Sequence, residues 1–597
     1  MIENKYKEKS PAATIGQIQQ ILDEIGITNV IKEEKAAETV HSCHIRWFYK
    51  SFFMGITNGK GTTREFSLAS GYAEFMERLQ THHIFNLDEK SHYNIPAEGF
   101  TLQPSEKYFS TEEIMGNCGP LNTHIREAFG ESRYQTILKH DSMDPFGHKK
   151  GKVLCLPFIN AGTGETEYVP YSNNSLLRID TSNGMCAGNS LIEALNQGIS
   201  ELIERYVQKE ILLNEKKAKT IPLKEIPSES LCGRMIAEIT NDGSFKLIIK
   251  ECSLGEGFPV VAVIILDTVS KKYFVRFGCF PVFEIALERC ITEIFQGFNR
   301  ETIKEAMQNR IGPYMSNAFD KLRNAHTVAV NGIGVYPPDF LAEGYTDYSI
   351  DHFLPLNSTN TEIYQFWMEL AKGKNWETYY TDASWLGFPT YHIIIPQILA
   401  NSNLDIFLSD YLSDDLFFHG MHDAIKEVVK EGVSINKFSI YSVFPLENNF
   451  SFDCYLPALR EVAAGYPSLS ARTLTGMALH FLKCDYERCL EDLLEILPDI
   501  NASSTKPEIK SYYNALAVYL TYRAHGMSFG HIDSCLKNVN AGIFQEVIRT
   551  LSDQSYFAEK YFFPMLIPED HLQDAQDLKS RLNKIKLSRF KKEGENA

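Results

Sequence analysis

Apolar residues gather in short runs at positions 47–54, 245–249, 260–266, 273–280, 327–330 and 391–395, each with the length and β-branched or aromatic content of a strand. Between them the apolar residues recur every three to four positions, which predicts interleaved helices and an α/β or α+β fold. Residues 85–142 break this rhythm. They carry turn-formers such as Asn94, Pro96, Gly99, Asn117 and Gly119, and are expected to form an insertion. Past about Val443 the strand signals fade and helical segments follow one another, notably ARTLTGMALHFLKCDYERCLEDLLEIL and KSYYNALAVYLTYRAH. The expected organisation is an α/β domain over residues 1–442 and an all-α domain over 443–597. Ala478, Phe481, Ala515 and Tyr519 give the latter a faint tetratricopeptide-like pattern, which ordinary antiparallel helices also predict.

A chain of 597 residues exceeds what one core spans, and 44% hydrophobic content supplies material for packed cores. Its 59 basic and 76 acidic residues leave a formal charge of −17, a field that disfavours general binding to nucleic acid. The one basic cluster, Lys584, Lys586, Arg589, Lys591 and Lys592, reads as a solvated helix end. No apolar run is long enough for a membrane span and residues 1–20 lack an apolar signal core, so a cytoplasmic protein is expected. Twelve cysteines without a CxxC pair are too dilute for a disulfide scaffold. The string His41, Ser42, Cys43, His44 lacks a second ligand cluster at zinc-site spacing.

The standard nucleotide and hydrolase motifs are missing. The stretch from Gly55 to Gly61 has three residues between its first two glycines and a glycine after Lys60, so it fails the P-loop pattern. Gly332 and Gly334 lack the third glycine of a dinucleotide fingerprint, and neither GxSxG nor HExxH occurs. Three helical segments carry the chemistry instead. In LASGYAEFMERL, Ser70, Glu74 and Glu77 share one face opposite Leu68, Tyr72, Phe75 and Leu79. In SNGMCAGNSLIEALNQGISELIERYV, Asn189, Glu193, Gln197, Glu201 and Glu204 fall within an arc of roughly 120° at about 100° per residue. In FEIALERCITEIFQGF, Arg289, Glu293 and Gln296 do the same.

Such stripes are ordinarily solvated faces of surface helices. Against that, the stripe from Glu193 to Glu204 contains no lysine to pair its acids, and the next basic residue is Arg205. Mutually repelling carboxylates are stabilised best by cations. Magnesium takes hard oxygen ligands and keeps positions for phosphate oxygens, so an acid-lined groove is a feasible Mg-nucleotide seat, with arginines to balance phosphate charge.

Taken together and in order, the Ser70-Glu74-Glu77-Arg78 string, the block from Ser182 through Asn189 and Glu193 to Glu204-Arg205, and the later Glu288-Arg289 to Glu293 and Gln296-Gly297 resemble the YcaO family. The resemblance implies an ATP-binding fold that uses magnesium instead of a P-loop and, in many relatives, activates a peptide amide oxygen by phosphorylation, leading to azoline or thioamide products. Carried over by residue, Glu74, Glu77, Glu193, Glu201 and Glu204 are the implied metal ligands. Ser70, Asn189, Gln197, Arg205 and Arg289 are the implied nucleotide contacts, together with Lys7 and Thr14; no single catalytic residue is implied. The chain ends KKEGENA and lacks the proline-rich carboxyl end common in azoline-forming relatives, which argues against cyclodehydration. The role implied first is that of an accessory factor for β-methylthiolation of ribosomal protein S12 beside a radical-SAM methylthiotransferase. The alternatives are an amide-activating enzyme acting on a peptide, and a helical adaptor whose nucleotide site is structural. A homodimer is also expected.

Overall fold

The computed structural model describes residues 6–81, 103–117, 119–131, 151–170, 182–307, 309–315, 334–344, 347–400, 438–443, 486–502, 507–528 and 566–594, with isolated positions between them. The chain divides into two compact units. One comprises residues 1–90, 96–407 and 578–597, and the other residues 91–95 and 408–577.

The first unit is a mixed α/β domain built on three antiparallel sheets. Strands β1 (Ile27–Ala37), β2 (Val40–Tyr49) and β3 (Phe52–Gly61) form the first in sequential order. The second has five strands in the order Asn309–Arg310, Lys272–Cys279, Val260–Asp267, Phe245–Glu251 and Lys219–Ile221. The third runs Lys107–Ser110, Lys152–Asn160, Tyr379–Asp382, Thr390–Ile394 and Met185–Ala187, with Thr166–Pro170 attached to Lys152–Asn160. Val263 lies at the centre of the second sheet, registered between Ile249 and Arg276. The strand Val260–Asp267 is buried on both faces, which is why its sequence is a continuous apolar run instead of an alternation.

Three expected strands stand as read, within a residue or two, at Phe245–Glu251, Val260–Asp267 and Lys272–Cys279, and a fourth at Thr390–Ile394. The run 47–54 is two strands instead of one. Lys50 adopts a left-handed conformation (φ 51°) and, with Ser51, turns the chain so that Tyr49 pairs with Phe52. Two polar residues inside an apolar run were the sign of that turn. The expected strand 327–330 lies outside the described residues except for Val328, which is helical. Within the expected insertion, residues 85–102, 118, 132–133, 136–137 and 139–142 lie outside the described residues, while Lys107–Ser110 adds an edge strand to the third sheet.

Three helices lie among these sheets and carry the predicted stripes: α1 (Arg64–Gln80), α2 (Leu191–Asn214) and α3 (Phe283–Ile294). Thr63, whose hydroxyl accepts from Phe66 N, caps α1, and Ser190, accepting from Glu193 N, caps α2. α1 packs on β2 and β3 and reaches the third sheet; α2 touches the second and third sheets; α3 bridges the second sheet and the first. All three are therefore enclosed on several sides. Trp47 stacks on Phe75 at 3.9 Å and donates to Thr57, whose hydroxyl in turn donates to Gly71 O, locking α1 to the first sheet. At the far end, the buried Gln80 side chain donates to Phe388 O and accepts from Leu386 N, both at 2.7 Å.

The tail helix Glu569–Gly594 contains the basic cluster, and its residues from 578 onward belong to the first unit. Lys586 departs from the solvated reading: it is fully buried, with its ammonium 4.2 Å from the Trp385 ring centroid. Burial pushes its pKa well below the usual lysine range. Arg581 donates to Glu24 O at 2.8 Å.

In the second unit, helices Tyr486–Ala502 and Pro507–Ala524 pack together, joined by Asn514 donating to Asn501 at 2.7 Å. A two-stranded ribbon pairs Phe438–Val443 with Leu566–Pro568, so the described part of this unit is not purely helical.

The approach of α1 to β3 depends on glycine at 59, where a Cβ would lie 1.8 Å from Ser67 O. Gly59→Ala is expected to destabilise the chain by about 1–3 kcal/mol, read as a lowered denaturation midpoint with unchanged slope.

Candidate functional site

The polar stripes of the three helices meet inside the first unit instead of facing solvent. From α1, Glu74 and Glu77 enter with Arg78, whose Nη1 is 2.9 Å from Glu77 and whose Nη2 is 3.6 Å from Glu74. The Glu74 carboxylate also accepts from Asn58 N at 3.1 Å, tying α1 to β3. Ser70 lies one turn earlier on the same helix, partly buried. From α2 come Gln197, Glu201, Glu204 and Arg205. Neither Glu201 nor Glu204 has an ion pair or hydrogen-bonded side-chain partner among the described residues, yet Glu201 is close enough to raise the proton affinity of Glu74, Glu77 and Glu204.

The acids are enclosed but reachable by water: the Glu74 side chain keeps 30% of its exposure and Glu77 13%. The carboxylates are therefore partly, not fully, withdrawn from solvent. Desolvation first, then repulsion from Glu201, raises the pKa of Glu74 and pushes that of Glu77 well up, although Arg78 opposes both. Glu204 is raised by the same burial against the pull of Arg205, Arg289 and Lys60. Four carboxylates thus share this region with four cations, Arg78, Arg205, Arg289 and Lys60, and three of the acids still hold their protons more tightly than free carboxylates.

α3 contributes along a single face. Arg289 Nη1 donates to the Gln197 side-chain oxygen Oε1 on α2, Glu293 pairs with Lys60 of β3, and Gln296, just past the helix end, donates to Asn58 O. The Nε atoms of Arg205 and Arg289 are buried without a hydrogen-bond partner among the described residues. Such unpartnered guanidinium nitrogens are costly unless an anion reaches them.

A second group of predicted residues sits at the start of α2. Thr14 donates to Asn189 at 2.9 Å, and Asn189 donates to both Glu193 oxygens at 3.1 and 3.2 Å. Glu193 accepts in addition from Lys7 Nζ at 3.2 Å and Glu8 N at 3.0 Å. With its oxygens met by these donors, Glu193 tethers the segment that carries Lys7 to the start of α2. The predicted residues thus form two neighbourhoods along α2, with Glu74 and Glu77 entering from α1 and Arg289 from α3, while no contact of Ser70 with the others is seen among the described residues. Among the described residues no three His, Cys, Asp or Glu side chains form a closed coordination cluster, because Arg78 and Lys60 are interleaved with the acids.

Two contributors were missing from the sequence-based set. Lys60 belongs to the failed P-loop string, and only the alternation of β3, which puts Asn58 and Lys60 on one face, pointed to it. Glu288 is the other. Burial, against the pull of Arg289 and Lys7, raises its pKa to about 7.

The basin thus combines partly buried carboxylates with guanidinium nitrogens that have no hydrogen-bond partner among the described residues. Residues 58–399, more than half the chain, match the YcaO cyclodehydratase family, described as ATP- and Mg2+-binding, and the chain belongs to the YcaO family. It is 29% identical over 399 residues to the Escherichia coli ribosomal protein S12 methylthiotransferase accessory factor YcaO, an alignment spanning 65% of each chain. It is 28% identical over 446 residues to an uncharacterized protein of Haemophilus influenzae, covering 71% of this chain and 72% of that one. Among solved structures it is similar to a heterocyclase in complex with substrate and cofactor, with TM-score 0.46 and 17% identity over 66% of this chain and 53% of the other. It is also similar to YcaO from Methanopyrus kandleri bound with AMPPCP and Mg2+, with TM-score 0.41 and 16% identity over 65% and 91%. No helix among the described residues is long and apolar enough to cross a membrane.

Glu288 yields a test of the site's electrostatics. Its proton affinity is higher folded than unfolded, so its stabilisation is complete below pH 4.5 and is lost as the pH rises through about 7. Glu288→Gln is expected to flatten the fall in melting temperature between pH 5 and 8, measured by calorimetry across that range.

Proposed function

We propose that the chain binds and hydrolyses Mg-ATP in the basin between α1, α2 and α3, and serves as an accessory factor for β-methylthiolation of ribosomal protein S12. The observation that carries the ATP reading is the meeting of Glu74, Glu77, Glu201 and Glu204 with two arginines whose Nε atoms have no hydrogen-bond partner among the described residues. The four carboxylates would hold magnesium once Arg78 and Lys60 turn from them, with Glu193 joining if its Lys7, Glu8 and Asn189 donors give way. Bound magnesium would neutralise phosphate oxygens and ease attack at the terminal phosphorus. Arg205 and Arg289 balance the remaining phosphate charge, and the Gln197 bond orients Arg289 for that purpose. Ser70 and Asn189 are suited to hydroxyl or amide contacts with the nucleotide, and Lys7 and Thr14 close the far side on the tethered N-terminal segment.

The S12 role follows the Escherichia coli relative and its name. It requires a protein substrate and a methylthiotransferase as partners, and the helical pair Tyr486–Ala502 and Pro507–Ala524 in the 443–597 region is our candidate docking element. A second reading, ATP-dependent activation of a peptide amide to form a thioamide or azoline, uses the same basin and differs in its acceptor.

Glu201→Gln should slow ATP hydrolysis at least about tenfold, equal to about 1.4 kcal/mol in activation free energy, while the chain stays folded. The same variant should fail to restore modified S12, read by mass spectrometry, in cells lacking this protein. Normal hydrolysis by the variant defeats the site assignment; normal S12 modification in the deletion strain defeats the accessory role. Because Glu74, Glu77 and Glu204 hold protons more tightly than ordinary carboxylates, Mg-ATP binding should release protons. Calorimetry in buffers of different ionisation enthalpy measures this release.

A further inference from the structure

The Gly59-Lys60-Gly61 string of β3 has a geometry that the P-loop pattern does not describe. A Cβ at Gly59 would lie 1.8 Å from Ser67 O, and one at Gly61 would lie 2.6 Å from Ser67 N, so both glycines are pressed against the first turns of α1. Along a strand, successive side chains leave opposite faces. The contact that demands glycine on either side of Lys60 therefore sends the lysine away from it, toward α3. There it pairs with Glu293, and both side chains keep 26% of their exposure. Gln296 anchors the same strand by donating to Asn58 O, which fixes where the lysine stem begins.

Lys60 is not surrounded as a structural salt bridge would be. Beyond Glu293, its charge is favoured by Glu204, Glu74 and Glu201 and opposed by Arg289. It stands at the crossing of all three acidic stripes. Desolvation and Arg289 bring its pKa down to about 8, so it remains largely protonated at neutral pH. Carboxylates engaged by a metal ion no longer attract the ammonium, while Glu293 alone continues to hold it. A flexible four-carbon stem lets the ammonium transfer from Glu293 to phosphate oxygen without moving the strand.

We propose that Lys60 is a nucleotide-contacting residue that binds the terminal phosphate of ATP, with Glu293 as its holding partner when that phosphate is absent. The inference rests on the proposed Mg-ATP reading and adds to it the group that distinguishes ATP from ADP. Lys60 thus supplies from a strand the point charge that a P-loop supplies from a loop, and its position follows from helix–strand packing.

The test is calorimetric titration of the full-length protein with Mg-ATP and Mg-ADP, with circular dichroism to verify folding. The expected result for Lys60→Met is a loss of at least about tenfold in ATP affinity with less than about threefold loss for ADP, and Lys60→Arg should recover most of the ATP affinity. Glu293→Gln frees the lysine and should leave ATP binding equal or tighter. Equal losses for ATP and ADP in Lys60→Met, no loss for either, or parallel losses in Lys60→Met and Glu293→Gln would overturn the assignment and leave Lys60 as a structural ion-pair partner. Failure of the unaltered protein to bind Mg-ATP would instead overturn the nucleotide reading itself.

Discussion

Bringing four carboxylates from two helices into one enclosed basin is unfavourable twice over, through desolvation and through mutual repulsion. Much of the first unit can be understood as the framework that withstands this. α1 is held by the Trp47–Phe75 stack, the Thr57 relay and the Gln80 bonds at its end. α3 is held through Arg289, Glu293 and Gln296, each gripping a different neighbour. Held together in this way, the carboxylates show raised proton affinity.

The same framework would let the proposed site operate without a glycine-rich phosphate loop. A P-loop presents backbone N–H groups and one lysine to the phosphates. In the proposed site the charge balance is distributed: acids on α1 and α2 for metal, arginines on α2 and α3, and a lysine on β3. Each element is positioned by contacts on its opposite face. The glycines beside Lys60 are consequently packing residues for α1, which is why the string resembles a phosphate loop without matching it.

Glu193 shows how neighbouring positions on one stripe acquire different surroundings. It is one turn from Gln197 and two from Glu201, yet its carboxylate is filled by Lys7, the Glu8 amide and Asn189, whereas Glu201 meets no such donors among the described residues. Helical spacing puts them on the same face; the N-terminal segment, nearly two hundred residues away in sequence, separates their roles. Lys586 makes the same point in the tail, where a basic run on a polar helix includes one lysine buried beside Trp385.

The periodicities legible in the chain are those that arise locally. Side-chain spacing along a helix or strand follows from backbone geometry alone, so the stripes of α1, α2 and α3 and the buried strands 245–249 and 260–266 could be read directly. Even the Lys50-Ser51 turn left a polar trace. Which stripes face one another depends on sheet order and on contacts between distant segments, and no local period encodes these. The convergence of Glu74 and Glu77 with Glu201 and Glu204, the capture of Glu193 and the entry of Lys60 were therefore decided by tertiary packing, where the exclusion of water turns separate polar faces into one interacting set of charges.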